Sequence, residues 1–133
     1  MDTTLIDIHT GDRKTTDVTL SVQEFCRDKG DGLCNVFVPH ATAGLALVEV
    51  GAGSDVDLVT AIEDLLPRDN RWHHAHGSRG HGADHVVPAL IAPTLCLPVI
   101  GGNPQLGTWQ SVVLVDTNRD NPQRSLRLSF VSG

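Results

Sequence analysis

Five of the seven histidines in this chain fall between positions 73 and 85. They run His73-His74-Ala75-His76, then His81, then His85. A neutral imidazole presents one ring-nitrogen lone pair, which makes histidine the commonest protein metal ligand, and ligands a few residues apart can converge on one ion. The spacing matches no standard zinc pattern such as HExxH. Metal binding or catalysis by at least two of these rings therefore competes with a solvated loop whose histidines do nothing. By spacing alone His76 is the most dispensable of the five.

Four further places could carry chemistry. His40 stands in Pro39-His40-Ala41-Thr42-Ala43-Gly44, where a strand end gives way to small residues. Such a turn can present a functional group and let a ligand approach the backbone closely, or it can be an ordinary surface turn. Glu49 lies between Val48 and Val50; pointing inward it would need a partner or a metal, and pointing outward it is unremarkable. Gly107-Thr108-Trp109-Gln110-Ser111 could form a backbone amide cradle beside an aromatic wall, although a bulge with a core tryptophan is the better reading. Arg124, among polar turn residues, could hold a phosphate bidentately or simply be solvated. No P-loop, GxGxxG, nucleophile elbow or kinase set is present, and nothing points to Ser/His/Asp catalysis.

To act together these residues must be positioned by the elements between them. Thr4–His9 alternates as a strand, and Val18–Lys29 has helical spacing stopped by Gly30. Leu33–Val38 reads as a buried strand, and Gly44–Val50 as the next. After a Gly-rich break, Ser54 is a good N-cap for a helix whose apolar face is Val56, Val59, Ile62, Leu65 and Leu66, closed by Pro67. Asp55 and Asp57 suit the first turn of that helix. Arg68–Asp84 is polar, Gly-rich and aperiodic. Val86–Ala92 fits either a short helix or an extended link. Leu95–Ile100 is a strand, Gly101–Gln105 a turn, Trp109–Asp116 a strand, Asn118–Gln123 a loop, and Arg124–Val131 a last alternating strand. The pattern implies a single β-rich α+β domain over 1–133, with a mixed or antiparallel sheet core and two to three helices.

Composition bounds the function. A 133-residue chain buries roughly two thirds of its unfolded surface, enough for one core. Ten basic against sixteen acidic residues give a net charge of −6, so nucleic acid and anionic membrane are poor partners and any bound anion needs a local site. No apolar run is long enough to span a bilayer, and no signal peptide is visible at the N-terminus. Cys26, Cys34 and Cys96 are odd in number, lack CxxC spacing and lie in apolar runs. They read as small core residues in a reducing compartment, which points to the cytoplasm.

The segment His40-Ala41-Thr42-Ala43-Gly44-Leu45 with Glu49, the histidine run ending at His85, and Leu106-Gly107-Thr108-Trp109-Gln110 together resemble the YjbQ family over nearly the whole chain. The GTWQ element, preceded by Leu97-Pro98-Val99 and Gly102, is the most specific part. The resemblance implies an α+β fold, a homotrimer with pockets near subunit boundaries, and secondary thiamine-phosphate synthase activity. That reaction joins a pyrimidine methyl diphosphate to a thiazole phosphate and releases pyrophosphate. It also implies a divalent metal, zinc or magnesium. His40, Thr42, Glu49, His74, His85, Gly107–Gln110 and Arg124 fall on the family's polar positions, and Trp72 where an aromatic is usual.

The implied roles are metal ligation by His74, His81 and His85; proton handling or additional ligation by His40 and Glu49, with His85 also counted as catalytic; and substrate binding by Thr42, Gly107, Thr108, Trp109, Gln110 and Arg124. Three departures stand out. Val48 and Val50 replace asparagines common beside the glutamate, Val87 replaces a lysine, and His81 occupies a place often acidic or amide. The last would turn the site toward an all-nitrogen shell. The rival readings are a metal-dependent hydrolase or transferase for another small phosphorylated or aromatic substrate, and a non-catalytic trimeric protein that binds a metal or metabolite.

Overall fold

The computed structural model describes residues 1–133. Two antiparallel sheets stack face to face. The larger has the order β1 (Asp2–His9), β8 (Gln123–Ser132), β3 (Gly32–Phe37), β5 (Thr94–Ile100) and β6 (Asn103–Pro104). The smaller has the order β2 (Thr15–Asp17), β7 (Ser111–Asp116) and β4 (Ala43–Val48). Helix α1 (Thr19–Cys26) packs its buried Val22 and Cys26 into the main core. Helices α2 (Ser54–Leu65), α3 (His81–Asp84) and α4 (Val87–Leu90) complete the elements. None of the helices is long and apolar enough to cross a membrane.

Strand alternation explains the layering. One face of the larger sheet sends Cys34, Val36, Leu97, Val99, Leu126, Leu128 and Phe130 inward against Ala43, Leu45, Val112 and Leu114 of the smaller sheet. The opposite face of the smaller sheet presents Val113 and Val115 to Ile62, Leu66, Ala83 and Val87. Strand β7 is thus covered on both sides, which is why its centre, Val112–Val115, is continuously apolar rather than alternating. The histidine segment belongs to the helical layer and rests, through Ala83 and Trp72, on this second core.

Several elements depart from the sequence reading for definable reasons. The cap of α2 is Gly53, at φ +102°, and Ser54 is already helical. Only Ile62 and Leu66, a turn apart, are buried on that face, while Val56 and Leu65 are largely exposed. Asn103–Pro104 pairs with β5 as a two-residue strand rather than a free turn, and Thr15–Asp17 pairs with β7 without any apolar alternation to announce it. Val87–Leu90 is a single helical turn with Pro88 in its first turn, where the missing N–H is harmless. Strand β7 begins at Ser111, so Trp109 stands outside it. Cys26 and Cys34 are core residues, but Cys96 lies on the outer face of the larger sheet and is exposed.

Candidate metal centre

Two short-range devices bring the histidines together. First, Trp72 donates its indole N–H to the Pro67 carbonyl at 2.9 Å, fixing the start of the segment. Second, α3 and its C-cap place His81 and His85 four residues apart, on one face of a helical turn. Gly82 lets α3 pack directly on the Trp72–His74 backbone. A Cβ there would stand 2.4 Å from the His74 carbonyl oxygen and 2.5 Å from the Trp72 Cβ. Any larger residue would push α3 away from His74.

The result is a tight group. One ring nitrogen from each of His74, His81 and His85 lies within 4.8 Å of the other two. The Nε2 atoms of His81 and His85 are 2.9 Å apart, and the His74 and His85 rings have centroids 3.8 Å apart. His74 Nε2 is buried without a hydrogen-bond partner, an arrangement that costs free energy unless something binds it. Burial first, and the neighbouring imidazoles second, hold His74 and His85 below the ordinary histidine range. Both are therefore neutral, with lone pairs available. Three imidazole nitrogens suit zinc and poorly suit magnesium, which prefers oxygen. Tetrahedral zinc places ligand nitrogens about 3.3 Å apart; the His81–His85 pair stands at 2.9 Å and the whole set within 4.8 Å, so these residues fit such an ion.

His76 sits at the rim, its ring 4.0 Å from that of His74 and 5.7 Å from that of His81; His73 is exposed and outside the group. Beside the rings opens a cleft of about 220 Å³ whose walls include Trp72, His74, His76, Ser78, Arg79 and His81.

Around His81 stand two carboxylates. Asp84 is wholly buried, and its Oδ1 accepts hydrogen bonds from Arg68 and, at 2.6 Å, from the Thr117 hydroxyl. Its Oδ2 has no hydrogen-bond partner and lies 3.5 Å from His81 Nδ1. Asp120 Oδ2 is 3.3 Å from the same nitrogen and accepts from the Ser78 hydroxyl at 3.3 Å.

His40 does not join this group. It belongs to a second polar cluster centred on the buried ion pair of Arg124 and Asp116. Arg124 also donates to the Gln123 carbonyl at 2.9 Å and faces the Thr42 hydroxyl at 3.5 Å. His40 Nε2 accepts the Ser125 N–H at 2.8 Å. That bond commits its lone pair, so the nitrogen left to a ligand is Nδ1–H, a donor. Burial first and Arg124 second keep its pKa low. The two clusters meet through adjacent residues, Asp116 in one and Thr117 in the other.

Other expected positions are elsewhere. Room left by Gly44 is taken by the Ile91 carbonyl, which a Cβ would meet at 2.0 Å, so the small-residue turn admits chain rather than ligand. Glu49 is half-buried just beyond β4 and bonds to none of the histidines. Gly107 and Gln110 close a turn on themselves, the Gly107 N–H donating to Gln110 Oε1 at 2.8 Å. Thr108 is exposed on that turn. Trp109 is 72% exposed, which overturns the core-tryptophan reading. Arg124 is buried and paired instead of lying free in a turn.

A family model for UPF0047 protein YjbQ-like matches residues 4–133. The chain belongs to the YjbQ-like UPF0047 family. A UPF0047 protein of Mycobacterium tuberculosis is 62% identical over 133 residues, spanning 100% of both chains. A UPF0047 protein of Synechocystis is 34% identical over 105 residues, 77% of this chain and 70% of that one. Among solved structures, a hypothetical protein from Aeropyrum pernix matches with a TM-score of 0.88 and 31% identity over 100% of both chains. A YbjQ-like protein of unknown function from Sulfolobus solfataricus matches with a TM-score of 0.90 and 23% identity over 99% of this chain and 97% of that one, a likeness of fold.

For this UPF0047 chain, sequence reasoning missed Arg68, Asp84, Asp116, Thr117 and Asp120. Asp84 had one available signal: it lies inside the run HGADH, three residues after His81. The others meet their partners only through the tertiary fold and carry no local signature.

Proposed function

We propose that this chain is a metal-dependent transferase for a small phosphorylated substrate, with zinc held by His74, His81 and His85. The observation that carries this is the convergence of one ring nitrogen from each of His74, His81 and His85 within 4.8 Å beside an open cleft, with His74 Nε2 buried and unpartnered. A bound divalent ion supplies charge neutralisation for a departing phosphate or diphosphate. The chain's own groups would orient the substrate: His76 and Arg79 at the cleft offer donors, and Trp72 a flat wall. In the specific form implied by the YjbQ resemblance, the thiazole nitrogen attacks the pyrimidine methylene carbon as its bond to the diphosphate oxygen breaks, yielding thiamine phosphate and pyrophosphate. Such a step needs stabilisation of the leaving group more than a strong base, which agrees with a site lacking a free carboxylate among its inner donors.

Pure protein with zinc, the pyrimidine methyl diphosphate and the thiazole phosphate is expected to form thiamine phosphate. Turnover of other phosphate esters alone would support the broader hydrolase or transferase reading. One metal bound without any turnover would support the binding-protein reading, which the engagement of Arg124 by Asp116 favours, since it removes an expected phosphate ligand.

The cleft is smaller than the roughly 300–1,000 Å³ of sites that enclose a whole ligand. This supports completion of the site by a neighbouring copy. The outer face of the larger sheet also exposes Leu5, Leu33, Phe37 and Val131, with Leu33 and Val131 side by side across β3 and β8, apolar surface that a neighbouring copy would cover. A homotrimer is the proposed assembly. Sedimentation is expected to give three times the 14.2 kDa chain mass, and a monomer at micromolar concentration would contradict it.

A further inference from the structure

His81 presents two different nitrogens to two different environments. Its Nε2 faces His85 Nε2 at 2.9 Å. Its Nδ1 is buried, lacks an aligned hydrogen bond, and lies 3.5 Å from Asp84 Oδ2, which is equally buried and equally without a partner. Two unsatisfied groups, one able to donate and one able only to accept, satisfy each other by a shift of a few tenths of an ångström. Asp84 cannot turn to look elsewhere, because its other oxygen is held by Arg68 and Thr117. Asp120 Oδ2 also lies near Nδ1, but it is on an exposed side chain and already accepts from Ser78. Water competes for it, whereas nothing competes for the Asp84 oxygen.

We infer that Asp84 is the positioning residue of the histidine centre: its Oδ2 accepts Nδ1–H of His81 and so leaves His81 Nε2 bare toward His74 and His85. The inference rests on reading the three histidines as a metal site, but its first consequence is visible without any ion. In metal-free protein His81 would carry its proton on Nδ1, and the 2.9 Å contact would then be His85 Nε2–H donating to His81 Nε2. Loaded, both Nε2 atoms would turn lone pairs to the ion, and the carboxylate behind His81 would make it a stronger ligand. Arg68 and Thr117 act one step further out, since they decide which Asp84 oxygen is left for the ring.

Asp84→Asn makes the point sharply. The Arg68 guanidinium can only donate, so the new carbonyl oxygen must take the Oδ1 place and the new NH2 must face His81 Nδ1. An N–H pointing at Nδ1 selects the tautomer with the proton on Nε2, where it blocks ligation.

The test is nitrogen-15 NMR of the metal-free chain at about pH 8, where an ordinary imidazole is neutral, with zinc titrations in parallel. Wild type is expected to show His81 protonated at Nδ1. Asp84→Asn is expected to show the reversed tautomer and zinc binding weakened roughly 10- to 100-fold, with Asp120→Asn much closer to wild type. Protonation of wild-type His81 at Nε2 would overturn the inference, as would Asp84→Asn binding zinc within about twofold of wild type. Should Asp84→Asn fail to fold, the wild-type tautomer alone decides. If the wild-type tautomer is as stated and neither wild type nor any variant binds zinc, the metal reading fails and the positioning contact stands.

Discussion

Replacing His85 by alanine is expected to weaken zinc binding by more than about 100-fold and to abolish turnover while leaving the chain folded. The bound is set by comparison, since even outer-sphere partners of a metal are worth about 10- to 100-fold. His85 is half-buried at the end of α3 and packs chiefly on other imidazoles, so its loss removes a ligand without opening the second core. Isothermal titration with zinc and circular dichroism separate the two effects. Wild type should also hold its ion down to more acidic pH than ordinary imidazoles allow. His74 and His85 resist protonation, burial being the larger cause, so protons begin to displace the metal only below about pH 6.5. The metal-free chain follows the same sign. Below about pH 6.5 the histidines of the unfolded chain take up protons that His40, His74 and His85 in the folded chain refuse. The unfolded state then binds more protons, and stability falls as pH falls. Above that pH these groups leave stability unchanged.

Arg124→Ala should show its main effect in stability rather than in substrate affinity. Arg124 and Asp116 are each 3% exposed and pair with one another. Burial raises the Asp116 pKa, and the guanidinium is what holds the carboxylate charged against it. Removing one partner of such a pair leaves a buried, uncompensated charge and costs about 3–5 kcal/mol. For a chain of this size that lowers the melting temperature by on the order of 10–20 °C. A variant that melts like wild type but needs far more substrate would instead restore Arg124 to the phosphate-binding role expected from sequence.

The contrast between Arg124 and the histidines shows where sequence is informative. His74, His81 and His85 are close along the chain, and one helical turn plus one glycine suffices to gather them, so their density in sequence already pointed to a centre. The strands were legible by alternation wherever one face is buried, as in β8, and β7 by its doubly covered apolar run. Contacts that depend on tertiary closure left no such trace. Asp116 meets Arg124 only because β7 and β8 are brought together in space, and Asp84 meets Thr117 across 33 positions. Trp109 misled for a related reason: an aromatic next to a strand favours burial on average, yet the Gly107–Gln110 turn ends the segment before the sheet begins and leaves the ring outside.

The most direct test is the metal content of untagged protein purified without chelator and then dialysed against equimolar zinc, compared with its His74→Ala, His81→Ala and His85→Ala variants. The three-histidine centre predicts one zinc per chain in wild type, with little retained by any variant. Folded wild-type protein that leaves the zinc in the dialysate, or holds it equally well without those imidazoles, would contradict it.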